Sequence, residues 1–488
     1  MNILSVDVGT TSIRGALFSQ GGGFLASHAV NTPLQFLNGL IEQIPSVFTD
    51  ALLEIIRHVQ KNFEIDAISL TAFRSAPALV DKEGKALSNF IMWQDKRNKA
   101  ICDALSAYSE DVHAVSGAGV NTVFTAGKIA WFKKHMPDVY SKAYKAVVVP
   151  DYLIHFMTGK FVTDHTYGSR TLLMDIKKLA WDKGLCELFD VDMDKLCELV
   201  PQGSVVGYTS ASFSRVSGVR EGIPVISAGG DQQCGALGLG VTDTSRLSIN
   251  NGTGSFILSL TDEPVLSVQS VICNVAAVPG KYTLESNVMT SASAINWAMD
   301  TFFADLRKDG KPDFEAFDRL AQSSPPGANG LCCLPLFQGC GTRHWDPEIR
   351  ASLYGMSLST TRADIARSLY EGISAEIVKS IEFMPFEKAS VREISVAGGL
   401  SQSEAFNQIL CDMLGVPLMR YQNKEATALG AFVSAAVALR LYPGYDEALK
   451  AVRAGDEAAR YTPSADLAAA YRAHLDTSDR LFEKINHI

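Results

Sequence analysis

The stretch "DVGTTSIRG", Asp7 to Gly15, decides how this 488-residue chain is read. A short apolar run with strand character, Ile3 to Val8, leads into it, and a second, Ser12 to Phe18, leads out. Between them Gly9, Thr10, Thr11 and Ser12 make a tight turn of one glycine and three consecutive hydroxyls. The turn "SQGGG" at 19–23 then separates a third strand, Phe24 to Val30. The opening is a β-meander whose first hairpin turn carries an acid, Asp7, at its edge.

The same pattern returns. Set "DVGTTS" over "NNGTGS" at 250–255: Asp7 falls on Asn250, Gly9 on Gly252, Thr10 on Thr253 and Ser12 on Ser255. The copies stand 243 positions apart in a chain whose half-length is 244. Two halves that each begin with one hairpin, 1–243 and 244–488, account for that spacing. Elsewhere, Ile41 to Val59 reads as an amphipathic helix, Ala67 to Ala72 as a strand and "VDKEGK" at 80–85 as a turn. Ala292 to Phe303 reads as helix. "EISVAGGLSQSEAFNQILCDMLG", 393–415, reads as an apolar strand, a double-glycine turn, a serine cap and an amphipathic helix. Ala426 to Leu439 is a small-residue helix, expected to be buried. Strands alternating with helices make the fold class α/β.

Composition is that of an ordinary globular protein: 47% hydrophobic, 9% aromatic, 20% charged. The length exceeds one typical core and predicts two domains. A net charge of −9 argues against a nucleic-acid partner, while leaving room for a local positive site on an anionic ligand. The nine cysteines include no CxxC pair and are odd in number, as expected of reduced thiols in a cytoplasmic protein. The nine histidines are scattered and mark no metal cluster. Asp7 and Arg14 interrupt any leader at the N-terminus, and Ala426 to Leu439 is too short to span a bilayer, so no membrane association is expected.

A glycine-hydroxyl hairpin turn suits phosphate, because glycine admits a close approach and turn N–H groups point at anionic oxygens. Asp7 repels phosphate but can hold Mg²⁺ through water. One such turn equally describes a plain polar hairpin; two, facing each other across a cleft, could grip a polyphosphate. No GxxxxGK[ST] occurs, so a P-loop is excluded. "GALGLG" at 235–240 has the wrong spacing for a dinucleotide fingerprint and reads as packing glycines. In "ISAGGDQQCGALG", 226–238, Asp231 ends a strand on a glycine turn, placed either as a general base for a phosphoryl acceptor or as a helix cap. "AGGLSQSEAFNQ" at 397–408 offers a flat glycine surface for a base or ribose, or again only a cap. "FIMWQDKRN" at 90–98 gathers Trp93, Asp95 and Arg97, either a wall for a polyhydroxylated ligand or a loop with an ion pair. Arg74, in "TAFRSAP", ends another strand.

These pieces, with "FTAGKIAWF", "TDHTYGSRTLLMDI", "HWDPEIRASLYG", "SLYEGI" and "EATALGA", stand in the order found in one family. The chain resembles the FGGY carbohydrate kinases nearly end to end. The resemblance implies the actin-like ATPase fold, with two ribonuclease-H-like domains and a cleft between them. It implies ATP and Mg²⁺, with Asp231 as catalytic base and Asp7 and Asp231 serving the metal. Gly9, Thr10, Thr11, Ser12 and Arg14, with Gly252 and Thr253, would hold phosphates; Gly398, Gly399 and Asn407 would flank the adenosine. Arg74, Trp93, Asp95, Arg97 and Gln232 would meet the sugar. A homodimer is the family's expectation.

Substrate signals are mixed. The resemblance to glycerol kinases keeps Arg74 in "AFRSA", but Ser75 replaces their glutamate and Val123 stands where they carry tyrosine. "WQDKR" and "GDQQ" still look like glycerol kinase, whereas "HWDP" and "YTPSADLAAAYRAH" lean toward xylulokinase, without its "QMHG" stretch. The sequence favours a sugar or polyol of about four to six carbons, a xylulokinase-like ketose first and glycerol or a sugar acid as alternatives. An actin-like switching ATPase is the competing class; no appended interaction domain supports it.

Overall fold

A computed structural model describes residues 1–37, 39–308, 311–422 and 425–486. The apolar runs at the start form the expected meander: β1 (Asn2–Val8), β2 (Ser12–Ser19) and β3 (Phe24–Asn31). β1 and β2 pair antiparallel with Asp7 opposite Arg14, and the Gly9 N–H closes the turn on the Ser12 carbonyl at 2.9 Å. A Cβ at Gly9 would lie 2.9 Å from that same carbonyl, so the turn requires glycine.

The helix expected from Ile41 begins later. Leu40–Gln43 is a short strand, with Glu42 opposite Ile91 and Gln43 opposite Phe90, and α1 is Pro45–Val59. Proline suits the first helical turn and pushes the preceding residue out of helical geometry; Ile44 is accordingly extended at φ −71°, ψ 130°. β4 (Ala67–Ala72) has the predicted bounds. α2 (Val149–Thr158), β5 (Ser204–Tyr208), β6 (Pro224–Gly230) and α3 (Asp231–Gly238) follow.

The first sheet runs β5-β6-β4-β1-β2-β3, with β4 parallel to both β1 and β6. Its central strands are covered on both faces, which explains their continuous apolar runs. Leu4, Val6 and Val8 face Phe48, Leu52 and Ile55 of α1 and Leu153 of α2.

The chain continues through β7 (Arg246–Asn251), β8 (Ser255–Thr261), β9 (Tyr282–Val288), α4 (Ala292–Thr301), the largely buried α5 (Arg362–Phe383), β10 (Glu393–Ala397), α6 (Glu404–Leu414), β11 (Leu418–Tyr421), α7 (Ala426–Ala438) and β12 (Ala458–Tyr461). Six neighbouring strands of the seven-stranded second sheet run β9-β8-β7-β10-β11-β12; the seventh is the edge strand Ile272–Val275. β7 is antiparallel to β8 and parallel to β10; β10 is parallel to β11, and β11 antiparallel to β12. Position for position this repeats β3-β2-β1-β4-β6-β5, where β6 and β5 are likewise antiparallel. The duplication read from six residues extends across six strands, the whole of the first sheet.

The chain divides into two units: Met1–Thr242, Thr261–Thr283 and Glu425–Gly455 form one; Asp243–Leu260, Leu284–Lys424 and Asp456–Ile488 form the other. α7 therefore belongs with the first sheet, whose second face it covers together with α3, against Ile3, Ala67 and Ile226. The helices cross with their backbones in contact. A Cβ on Gly238 would overlap the Ala426 carbonyl, and one on Gly430 the Cys234 carbonyl. Gly238 of "GALGLG" is thus a packing glycine. All nine cysteines are buried, and none is held in a disulfide. Among the described residues no helix is long and apolar enough to cross a membrane.

Candidate active site

The carboxyl ends of three parallel strands lie side by side. Asp7, Thr71 and Gly229 share one row of the sheet; Val8, Ala72 and Gly230 share the next. In open α/β sheets this edge is where ligands bind. Three of the sequence's candidates leave it: Asp7, Arg74 just past β4, and Asp231 just past β6.

Asp231 is the first residue of α3, with Gly230 in the cap position, so its carboxylate does not serve as the cap. That carboxylate accepts the Gln232 N–H at 2.8 Å, lies 3.6 Å from Arg74 Nε and stays 25% exposed. Arg74 Nη1 donates to Gln233 Oε1 at 3.2 Å. A Cβ on Gly230 would stand 2.6 Å from Gln233 Oε1 and 2.8 Å from Arg74 Cδ, so glycine there lets the arginine close over the strand end. The sequence had singled out Gln232, which is half-buried; the amide that meets Arg74 belongs to its buried neighbour.

Asp7 has its pKa raised to about 7, by burial first and then by the charges of Asp231 and Glu425, against the opposing pull of Arg14. Arg14 is ion-paired with Glu425, which immediately precedes α7. Glu425 escaped the sequence reading, although it opens the quoted "EATALGA"; an acid at the start of a helix reads as ordinary electrostatics. Among the described residues no three His, Cys, Asp or Glu side chains form a metal-holding group. Mg²⁺ asks less of a protein: one or two carboxylates, completed by phosphate oxygens and water. Asp7, a hard oxygen donor crowded by like charge, fits that demand.

Trp93 is 37% exposed, and its indole N–H donates to Thr10 Oγ1 at 3.2 Å. A residue expected at the sugar thus touches one expected at phosphate. Thr11 is exposed, and its carbonyl accepts the Thr32 N–H at 2.8 Å; Ser12 opens β2 half-buried. Asp95 and Arg97 turn to each other. Arg97 donates to Asp95 Oδ1 and Oδ2, each at 2.9 Å, and to Glu42 Oε1 at 2.7 Å, with its guanidinium 4.9 Å from the Trp131 ring centre. Burial pushes the Asp95 carboxyl up, but hydrogen bonds from Arg97 and the Ile41 N–H hold it below the ordinary value. This pair is the ion-pair alternative, buried rather than superficial, and it ties the Trp93 loop to the strand Leu40–Gln43. Ser75 has a left-handed φ of 68° and donates inward to the Arg170 carbonyl at 3.3 Å.

In the second unit, the "NNGTGS" turn is fastened to the start of α4. The Ser291 N–H and Ser293 hydroxyl each donate to the Thr253 carbonyl at 2.8 Å, and the Ala292 N–H donates to the Gly252 carbonyl at 3.0 Å. Gly398 has φ +90° and presses on β7, where a Cβ would meet the Asn250 side-chain oxygen at 2.7 Å; Gly399 faces open space. Asn407 is buried, and its amide donates to the Ser401 carbonyl at 2.7 Å and the Tyr461 hydroxyl at 3.1 Å, supporting the glycine turn from within.

A sheet of this order, built twice in one chain with acids and an arginine at the ends of its parallel strands, defines the actin-like ATPase fold in its sugar-kinase form. The chain aligns with a ligand-bound xylulose kinase from Lactobacillus acidophilus at TM-score 0.89 and 25% identity, covering 99% of this chain and 98% of that one. It aligns as widely with Plasmodium falciparum glycerol kinase with ADP, at TM-score 0.87 and 25% identity. The models of the FGGY family of carbohydrate kinases match residues 2–238 as N-terminal domain and 247–439 as C-terminal domain, and the chain belongs to that family. It is a kinase acting on an alcohol group of a sugar or polyol. A glycerol kinase of Thermococcus onnurineus is 31% identical over 462 residues, 91% of this chain and 90% of that protein. One of Limosilactobacillus reuteri is 29% identical over 478 residues, 93% and 92% of the two chains.

Proposed function

We propose that this kinase transfers the γ-phosphoryl group of MgATP to a hydroxyl of a small ketose or polyol, with Asp231 as the general base. The observation that carries this reading is the placement of Asp231: a partly exposed carboxylate on the glycine turn at the end of β6, with Arg74 Nε 3.6 Å away. As the acceptor oxygen attacks phosphorus, its proton passes to the Asp231 carboxylate. Arg74 holds the acceptor's other hydroxyls and fixes the carboxylate's angle, and the buried Gln233 braces the guanidinium from behind. Gln232 and Trp93 line the same strand ends, while Asp95 and Arg97 brace the Trp93 loop from beneath. The turn at Gly9 to Ser12, with Arg14, and the turn at Gly252 and Thr253 offer their donors to phosphates. Gly398 and Gly399, backed by Asn407, take the nucleoside. Mg²⁺, held through Asp7 and Asp231, would neutralise phosphate charge. The enzyme is proposed to be cytoplasmic and homodimeric.

A ketose of the xylulose type is the proposed acceptor. Ser75 places no carboxylate beside Arg74, because its short side chain is spent inward on Arg170. By the resemblance, Val123 would put an apolar side chain where the glycerol kinases carry a phenol. Both changes leave a wider and less polar pocket than three carbons need. Glycerol is the second reading, favoured by the 29–31% identity to curated glycerol kinases.

The test is ADP release from MgATP over D-xylulose, D- and L-ribulose, L-fuculose, erythritol, glycerol and gluconate. Stimulation by a ketose above glycerol supports the first reading; the reverse order supports the second. Asp231→Asn should keep nucleotide binding and lose roughly 10²–10⁴-fold in turnover, the scale of a positioned base. Wild-type turnover in that variant removes Asp231 from the role.

A further inference from the structure

β6 does not run straight into α3. Its pairing with β4 slips between Ser227 and Gly229, and Gly229 takes φ +113°. A bulge with two glycines is a poor anchor for a carboxylate that must be held to a fraction of an ångström. The structure surrounds it with buried side chains from one short segment, "TDHTYGSR". The Tyr167 hydroxyl donates to the Gly229 carbonyl at 2.7 Å and accepts the Ala72 N–H at 2.9 Å. Thr71 Oγ1 donates to the same Gly229 carbonyl at 2.8 Å. The Gly230 N–H donates to Thr166 Oγ1 at 2.9 Å, and that hydroxyl donates to Asp164 Oδ1 at 2.5 Å. Asp164 Oδ2 accepts the Ser227 hydroxyl on the near side of the bulge. Asp164, Thr166 and Tyr167 are each at most 2% exposed, so none of them is a group that meets substrate.

One phenol thus spans two strand ends. Ala72 stands two residues before Arg74, and Gly229 two residues before Asp231. We propose that Tyr167, backed by the Asp164–Thr166 relay, is a positioning residue for phosphoryl transfer: it locks the strand end bearing Arg74 to the bulge bearing Asp231. The inference rests on the reading of Asp231 as the base. Phenylalanine at 167 fills the same space but can neither donate to Gly229 nor accept from Ala72. Thr71 still holds the Gly229 carbonyl, so the fold survives while the two ends gain freedom.

The test is a kinetic cycle on the full chain, using the best acceptor of the panel. Tyr167→Phe should lower kcat ~10–100-fold, the effect of a sub-ångström to 1 Å misplacement, with acceptor and ATP KM values changed by less than ~3-fold. In the Asp231→Asn background the same substitution should cost less than ~2-fold, because the group it positions is gone. Wild-type kcat in folded Tyr167→Phe overturns the proposal. So does a loss of equal size in both backgrounds, which marks a general structural effect. If Tyr167→Phe does not fold, Thr166→Ser and Thr166→Val decide. Serine keeps the relay and should keep kcat; valine breaks it and should lose the same ~10–100-fold, and equal rates in both variants overturn the proposal. An inactive Tyr167→Phe beside a fully active Asp231→Asn would refute the base itself, an outcome distinct from failure of the positioning role.

Discussion

Replacing Gly430 by alanine should destabilise this protein, against the usual sign. In an unstrained helix, glycine to alanine gains about 0.5–1 kcal/mol by restricting the unfolded chain. Gly430 lies inside α7 where α7 crosses α3, and its added methyl would stand 2.7 Å from the Cys234 carbonyl carbon and 3.0 Å from Cys234 Cα. Comfortable carbon–carbon contact is about 3.5–4.0 Å, so the helices must part by roughly 1 Å. Both atoms are backbone, and no rotamer can relieve them. Overpacking of this kind costs about 1–3 kcal/mol, which outweighs the alanine gain and leaves a net loss of about 1–2 kcal/mol. At roughly 1–2 °C per kcal/mol for a chain of this size, thermal unfolding should fall by about 1–4 °C. Turnover should fall with it, because α3 begins at Asp231. Gly235→Ala, on the same α3, supplies the control: its methyl would meet only Thr427 Oγ1 at 3.6 Å, and it should melt at or slightly above wild type. Melting by circular dichroism, paired with initial rates, reads both. A Gly430→Ala protein melting above wild type, or a Gly235→Ala protein falling equally far, would refute the packing argument.

Other substitutions test separate parts of the site. Arg74→Ala removes a charged donor beside Asp231 and should raise acceptor KM about 10–100-fold with a smaller effect on ATP, whereas Trp93→Ala, tied to Thr10, should raise both; steady-state kinetics with each substrate varied would show the split, and an Arg74→Ala effect confined to ATP would displace the acceptor site. Arg97→Ala strands Asp95, 1% exposed, without its guanidinium and should cost about 3–5 kcal/mol in denaturant unfolding, with no rescue by lysine, which cannot pair bidentately. Burial, with Lys379 and Arg367 nearby, lowers the pKa of His474 from 6.5 to about 4. The unfolded chain therefore binds a proton that the folded chain refuses between these values, and stability falls as pH drops through that window. His474→Gln should remove about 2 kcal/mol of that loss when unfolding is compared at pH 6.5 and pH 4.5, and an unchanged slope would mean that His474 accepts its proton while folded.

The parts legible in the sequence are those that local chemistry dictates. Apolar runs broken by glycine turns gave β1 to β4 nearly residue for residue, and a small-residue run gave α7. Ser403 was recognisable as a helix cap because the signal lies within a few residues; its side chain accepts the Phe406 N–H. What stayed hidden depends on partners far along the chain. Arg14 and Glu425 are 411 positions apart. Gln233 rather than Gln232 meets Arg74 because of the angle at which α3 leaves the bulge, which two adjacent glutamines cannot disclose. Ile41 to Gln43 reads as the start of a helix because its apolar pattern fits either period, and only Pro45 marks the break. Asp95 and Arg97 had the composition of a ligand wall; their burial against Glu42 and Trp131 is a tertiary fact.

The duplication also shows how one frame carries two chemistries. Six strands keep one order in both sheets, yet the charges at their ends differ. In the first hairpin Asp7 stands opposite Arg14, with Glu425 and Asp231 near enough to shift its proton affinity. In the second hairpin the matching position is Asn250, opposite Phe256, which is 47% exposed. An amide and an open aromatic bring no net charge, and Gly398 crowds the same strand end with backbone alone. The first arrangement suits moving a proton and balancing anionic oxygens, because its acids are coupled and partly desolvated. The second suits holding a ligand by shape and hydrogen bonds, because nothing in it titrates. Asparagine is nearly isosteric with aspartate, so it suits the same turn without the repulsion that a carboxylate would exert on phosphate. The asymmetry in charge between the two hairpins thus lies in a few side chains at strand ends, laid over a shared strand order.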